Sequence, residues 1–268
     1  MNTKLINRAL LAIYTIAMCT VPLAAQSGEQ TDSLDADQIM KLSREYQRGL
    51  TNSMAEVTMV IESRGNKIVR SMQQYVLESD DAGNRTINVF SEPADVKGVS
   101  VLTHTAQDGN DQQWLFLPSI NRTKRISSSN RSGSFVGSDF AFEDLSSLEL
   151  SKYHFNSAVI EEIDGEQLIK VTYDPTYSGS GYSHIETYLR KDNYQPAFNK
   201  YYNSRGEHYK TLHLSNYISY KEAGAWRPHL LTMEDHIKSS VTEITVSRFS
   251  EESTSKKNFR AKSFNRVR

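Results

Sequence analysis

The stretch EVTMVIESRGNK, Glu56 to Lys67, decides how this chain is read. Val57, Met59 and Ile61 alternate with Glu56, Thr58 and Val60, a period of two that assigns each set to its own face of a strand. SRGNK at 63–67 then supplies a glycine-containing turn, the signal of an antiparallel hairpin. The pattern recurs further along. Ile169, Val171 and Tyr173 alternate, as do Ile185, Thr187 and Leu189. Turn signals stand at 80–84 (DDAGN), 108–111 (DGND), 163–166 (IDGE), 204–207 (SRGE) and 222–225 (EAGA). No alternation of strands with helices appears, so a parallel α/β sheet is not expected. Neither a repeat nor a linker divides the chain. The expectation is a mainly β protein built on one strongly curved antiparallel sheet.

One helix precedes the sheet. LDADQIMKLSREYQRGL, residues 34–50, opens with Asp35 and Asp37, which oppose the helix dipole, and has Gly49 near its end. Ile39, Leu42, Tyr46 and Leu50 recur at helical spacing and give a narrow apolar stripe that needs a partner. A sheet with an apolar concave face must also be covered. One helix and the short 140–150 segment are too little material for a large sheet, so an apolar cavity is expected. A closed barrel filled by its own side chains is the alternative.

The first 25 residues carry an export signature. Lys4 and Arg8 precede the apolar run Ala9 to Val21, and Pro22-Leu23-Ala24-Ala25 resembles a cleavage site. The run is short for a bilayer span. The expected mature chain, residues 26–268, has 31 basic residues less Lys4 and Arg8 against 32 acids, a net charge of −3. That is no footprint for nucleic acid. The single cysteine, Cys19, lies within the export segment, so the mature chain has no disulfide or thiolate chemistry. Ile16-Ala17-Met18-Cys19 also reads as a lipidation box, but Met18 stands where a small residue belongs, and cleavage without acylation is the expectation.

No HExxH, phosphate-binding Gly-Lys-Ser/Thr loop or Gly-x-Ser-x-Gly elbow is present. The histidines, at 104, 154, 184, 208, 213, 229 and 236, are scattered without metal-ligand spacing. The acid pairs Glu143-Asp144, Glu161-Glu162 and Glu234-Asp235 are adjacent in sequence; on a strand such neighbours face opposite ways and make poor acid–base partners. Glu143 and Asp144, with Ser138 and Asp139 upstream, read better as flanking a helix N-terminus. Neither catalytic residues, metal ligands nor a cofactor site is expected. Arg122, Lys124, Arg125 and Arg131 form a basic cluster that suits an anionic headgroup, or simply a solvated strand end. The C-terminal SKKNFRAKSFNRVR carries six basic residues. It suits either an anionic membrane surface or, through Phe259 and Phe264, a packed last segment with its charges in water.

The least ordinary stretch is RSGSFVGSDFAFEDL, Arg131 to Leu145, with three phenylalanines on a glycine- and serine-rich run. With EPADVKGVSVL at 92–102 and DQQWLFLPSINRTKRI at 111–126, it resembles the signature of the LolA-like outer-membrane lipoprotein-sorting proteins. Tyr194-Gln195-Pro196 and Trp226-Arg227-Pro228 fit the same family in order and spacing. The resemblance implies a half-open β-barrel whose helices close the mouth of an apolar cavity for acyl chains. It implies a periplasmic carrier of lipidated cargo, either lipoprotein acyl chains or free lipid, moving towards the outer membrane. Partners would be an inner-membrane RND-type lipid exporter or an outer-membrane acceptor. Strand parity and motif together nominate Met59, Ile61, Tyr75, Leu77, Trp114 and Phe116 as cavity lining. Gly133, Phe135, Gly137, Phe140 and Phe142 are nominated as a movable lid, with fixed core beneath a loop as the rival reading. A lipid sensor of the same fold and a packed exported protein without ligand are the alternatives to a carrier; an enzyme acting on lipid or glycan lacks a convergent pair of reactive groups.

Overall fold

The Glu56–Lys67 stretch folds as read. In the computed structural model, which describes residues 34–79, 83–220, 224–251 and 254–267, β1 (Asn52–Ser63) and β2 (Asn66–Leu77) form a hairpin closed by the Ser63–Asn66 pair. Arg64 (φ 50°) and Gly65 (φ 78°) both lie in the left-handed region, as a two-residue turn matched to the strand twist requires. The expected export segment, 1–25, and Cys19 lie outside the described residues.

Eleven further strands follow: β3 (Arg85–Glu92), β4 (Ser100–His104), β5 (Gln112–Leu117), β6 (Arg122–Ile126), β7 (Tyr153–Ile163), β8 (Glu166–Pro175), β9 (His184–Arg190), β10 (Pro196–Tyr202), β11 (His208–Tyr220), β12 (Ala225–Asp235) and β13 (Ser240–Ser250). All thirteen join one antiparallel sheet in the order β6-β5-β4-β3-β2-β1-β13-β12-β11-β10-β9-β8-β7. The sheet is not closed; β6 and β7 are its edges. Chain neighbours pair throughout, with one exception. From β6 the chain crosses to the opposite edge before β7, and residues 127–152 make that crossing. Laid flat at ~4.8 Å per strand, the edges would stand roughly 60 Å apart. Instead one apolar core joins Val101 of β4 to Ala158 of β7, so the sheet curls around its contents.

The two faces are covered differently. Val57, Met59, Met72, Phe90, Val171, Leu189 and Met233 belong to the inner core. On the opposite face Tyr75, Leu77, Ile87 and Leu102 pack with Phe259, Phe264 and Val267. The C-terminal segment is therefore packed, and His104 Nε2 lies 3.0 Å from the Phe259 carbonyl.

The helix, α1 (Ala36–Tyr46), is shorter than the predicted 34–50. Asp35 caps it, accepting from the Gln38 amide at 3.1 Å. Gly49, at φ 116°, cannot continue it, and its amide donates to Glu78 instead. The buried stripe is Ala36, Ile39, Met40 and Ser43; Tyr46 is 39% exposed and stacks on Tyr194. α1 contacts β7 and β12. The 140–150 segment holds only single 3-10 turns, Phe142–Leu145 and Leu150–Lys152.

Candidate functional site

Because the crossing must bring the chain from one sheet edge to the other, the glycine- and phenylalanine-rich stretch is laid across the inner face as a strap. It folds on itself as a small hairpin: Phe135 N donates to Phe140 O at 2.7 Å and Phe142 N to Gly133 O at 3.0 Å. Val136 (φ 48°) and Gly137 (φ 78°) make its reversal. Phe135 and Phe140 are buried in the core, and Phe142 packs against it; Phe135 meets Phe90 of β3 and Phe142 at ring separations of 5.7 and 5.9 Å.

Polar bonds fasten the strap to distant strands. Asp139 is buried, and its carboxylate accepts from Ser240 Oγ at 2.6 Å and Thr242 Oγ1 at 2.7 Å, both on β13. Lys210 of β11 donates to the Asp139 carbonyl at 2.7 Å, and Arg70 of β2 donates to the Val136 carbonyl. Gln113 of β5 donates to the Phe142 carbonyl at 2.6 Å.

Glu143 and Asp144 do more than flank a turn. Asp144 accepts from the Ala141 amide at 2.6 Å, capping the Phe142–Leu145 turn, and from Tyr182 Oη at 2.8 Å. Glu143 accepts from Tyr177 Oη, Ser180 Oγ and the Gly181 amide at 3.0, 2.8 and 2.9 Å, tying the strap to the β8–β9 loop. A Cβ at Gly181 would meet Ser132 Cβ at 2.8 Å, so this approach requires glycine. Burial raises the pKa of both carboxyls, and the Asp144 charge raises that of Glu143 further. Burial also pushes Tyr173 up to about 12, and raises Tyr177 and Tyr182, so these phenols remain neutral.

Two recesses remain between strap, helix and sheet. The larger, about 390 Å³, is bounded by Arg44 of α1 and Arg48 just beyond it, by strap residues Glu143 to Glu149, and by inner-face residues including Tyr201 and Leu212. The smaller, about 250 Å³, is walled by Ala55, Val57, Met72, Ile244, Val246 and Phe249 with Phe135 and Phe140 of the strap. Gln74, Val76, Phe140, Asp144, Leu145, Arg227 and Leu231 border both. Arg227 Nη2 donates to Glu78 Oε1 at 2.5 Å, and Arg44 pairs with Glu149.

The nominated lining residues are not brought together. Met59 and Ile61 lie in the inner core, whereas Tyr75, Leu77, Trp114 and Phe116 belong to the opposite face, beneath the C-terminal segment. The two-residue turn explains the correction. It pairs odd-numbered residues of β1 with even-numbered ones of β2, so Met59 faces Arg70 and Val57 faces Met72, leaving Tyr75 opposite Met54. Register then carries Tyr75 to Ile87, Ile87 to Leu102 and Leu102 to Trp114, with Phe116 opposite Ser100. The basic cluster is also divided. Arg122, Lys124 and Arg125 are exposed on edge strand β6 and border neither recess. Arg131 is buried: its guanidinium donates to the Asp111 carbonyl at 3.0 Å and lies over the Tyr177 ring. Sequence reading missed Arg44, Glu78, Glu149 and the tyrosines around Glu143, since nothing local links a helix to strands far along the chain. Among the described residues, no three His, Cys, Asp or Glu side chains are grouped to hold a metal. No described helix is long and apolar enough to cross a membrane.

An antiparallel sheet left open at both edges, with one helix and a strap over its inner face, defines the half-barrel class. A family model described as "Uncharacterized protein" matches residues 82–266. Among solved structures, a domain from Vibrio parahaemolyticus named for outer-membrane lipoprotein sorting is similar at 33% identity and a TM-score of 0.80, across 84% of this chain and 97% of that one. A DUF1329-family protein from Desulfovibrio piger (24% identity, TM-score 0.77, 84% and 95% of the two chains) shares the fold. So does a LolA-superfamily protein from Nitrosomonas europaea (20%, TM-score 0.68, 85% and 98%). No curated protein matches the sequence. The chain belongs to the family of outer-membrane lipoprotein-sorting proteins.

Proposed function

We propose that this chain is a non-catalytic periplasmic carrier that holds lipid or lipidated protein against the inner face of its sheet and delivers it towards the outer membrane. An RND-type exporter of the inner membrane is the proposed donor-side partner. The observation that carries the reading is the pair of adjoining recesses beneath the strap, the smaller of them walled chiefly by aliphatic and aromatic side chains. The larger recess falls in the ~300–1,000 Å³ range usual for small-molecule sites. Acyl chains entering there would be held by apolar burial, which needs no directed bonds. The similarity to a domain named for lipoprotein sorting supports the same assignment.

On this reading Phe135, Phe140 and Phe142 occupy the inner face when cargo is absent, and loading displaces them. Burying one such ring contributes about 1.5–3 kcal/mol, a scale with which an acyl chain competes. Gly133 and Gly137 provide the backbone freedom for that exchange. The test is native mass spectrometry of the mature protein, purified gently from a periplasmic extract, with lipid extraction alongside. A lipid or lipopeptide released on denaturation is the expected result. A cargo-free mass, with no uptake of added phospholipid or lipopeptide, overturns the reading and leaves a packed exported protein.

A further inference from the structure

Arg227 stands where the two recesses meet, and bonds from its guanidinium go to Glu78 Oε1 and to the Trp226 carbonyl at 3.2 Å. Glu78 is nearly buried, its side chain 8% exposed, and its other oxygen accepts from the Gly49 amide at 3.0 Å. The Glu78 carboxylate therefore keeps a partner if Arg227 turns away. Arg44 of α1 and Arg48, just beyond its end, border the same recess together with Glu143, Asp144 and Glu149, and Arg44 is balanced by Glu149. Three guanidinium groups thus stand among carboxyl partners at one end of the site, and each can match a phosphate through paired N–H donors. The other end, past Arg227, is the apolar chamber of Val57, Ile244, Val246 and Phe249. The arrangement has the polarity of an amphiphile: charged head at Arg227, tails beneath Phe135 and Phe140.

We infer that the cargo is an acidic lipid, whose phosphate takes Arg227 over from Glu78. The inference rests on the carrier reading and narrows it from any acylated molecule to an anionic one. Glu78 then acts as a resident counter-ion, releasing Arg227 when a phosphate arrives and reclaiming it on unloading. Exchanging one ion pair for another avoids leaving a guanidinium unpaired in a partly buried place, the costly state for such a group.

The experiment measures binding of dioctanoyl phosphatidic acid and of dioctanoylglycerol, which differ in the phosphate alone, to the wild type, Arg227→Met and Glu78→Gln. The wild type is expected to prefer the phosphate-bearing lipid by about tenfold, the scale of one charge-assisted contact. Arg227→Met should lose that preference while still binding dioctanoylglycerol. Glu78→Gln, which keeps the shape but frees Arg227, should strengthen it; this second variant stands even if Arg227→Met fails to fold. Equal binding of the two lipids by all three proteins overturns the inference and leaves the carrier reading intact. Failure of the wild type to bind either lipid overturns both. Inorganic phosphate is added at matched ionic strength. If it binds in an Arg227-dependent way while the two lipids remain equal, the site takes free phosphate and the lipid assignment falls.

Discussion

Single side chains carry most of what fastens the strap. Phe135 is fully buried between Phe90 and Phe142, so Phe135→Ala should cost about 3–5 kcal/mol in a urea titration. The same truncation enlarges the smaller recess and, on the carrier reading, should raise lipid uptake per folded molecule. Glu143 and Asp144 make the fastening depend on pH. Burial raises both pKa values in the folded chain, so the folded state binds these protons more tightly than the unfolded one does. The resulting stabilisation is complete below the ordinary carboxylate pKa of about 4, and is lost as pH rises through the raised values. Strap amides 131–150 should therefore exchange more slowly at mildly acid pH than at pH 8, after correction for intrinsic rates. Glu143→Gln should flatten that profile. Asp235 titrates with the opposite sign: burial pushes its pKa up, but hydrogen bonds from the Lys238 ammonium and backbone amide more than offset this and hold it down.

Among elements, the strands were legible and their faces were not. Alternation at Val57, Met59 and Ile61 marks a strand, and SRGNK marks the turn, but which parity of β2 faces inward depends on how many residues the turn consumes. That count put Tyr75 and Leu77 on the outer face, with Trp114 and Phe116 following through the ladder. The strap's phenylalanines were conspicuous in sequence; its anchors were not, because Asp139 finds Ser240 and Thr242 about a hundred residues on. Phe259 and Phe264 identified the last segment as packed, and it covers the outer-face cluster. Replacing both by Ser should uncover Trp114, seen as a red shift of its emission in a Trp226→Phe background, together with self-association. Lipid retention should survive, since that cluster and the recesses lie on opposite faces.

For the molecule as a whole, a single crossing sets the geometry. Eleven of the twelve connections between strands join hydrogen-bonded neighbours, and sequence alone foresaw such a run of hairpins. It did not foresee that after β6 the chain restarts at the far edge, because edge identity is settled by which strands pair, not by local pattern. Since β13 closes against β1, the first and last strands sit at the middle of the sheet while the crossing ties its margins. Sheet and strap therefore work as a bow and its string. The ladder resists bending along its length, and the string, fastened to strands on both limbs, bounds the space between them. On the carrier reading, a larger cargo would be accommodated by letting out the string, with every rung of the ladder intact.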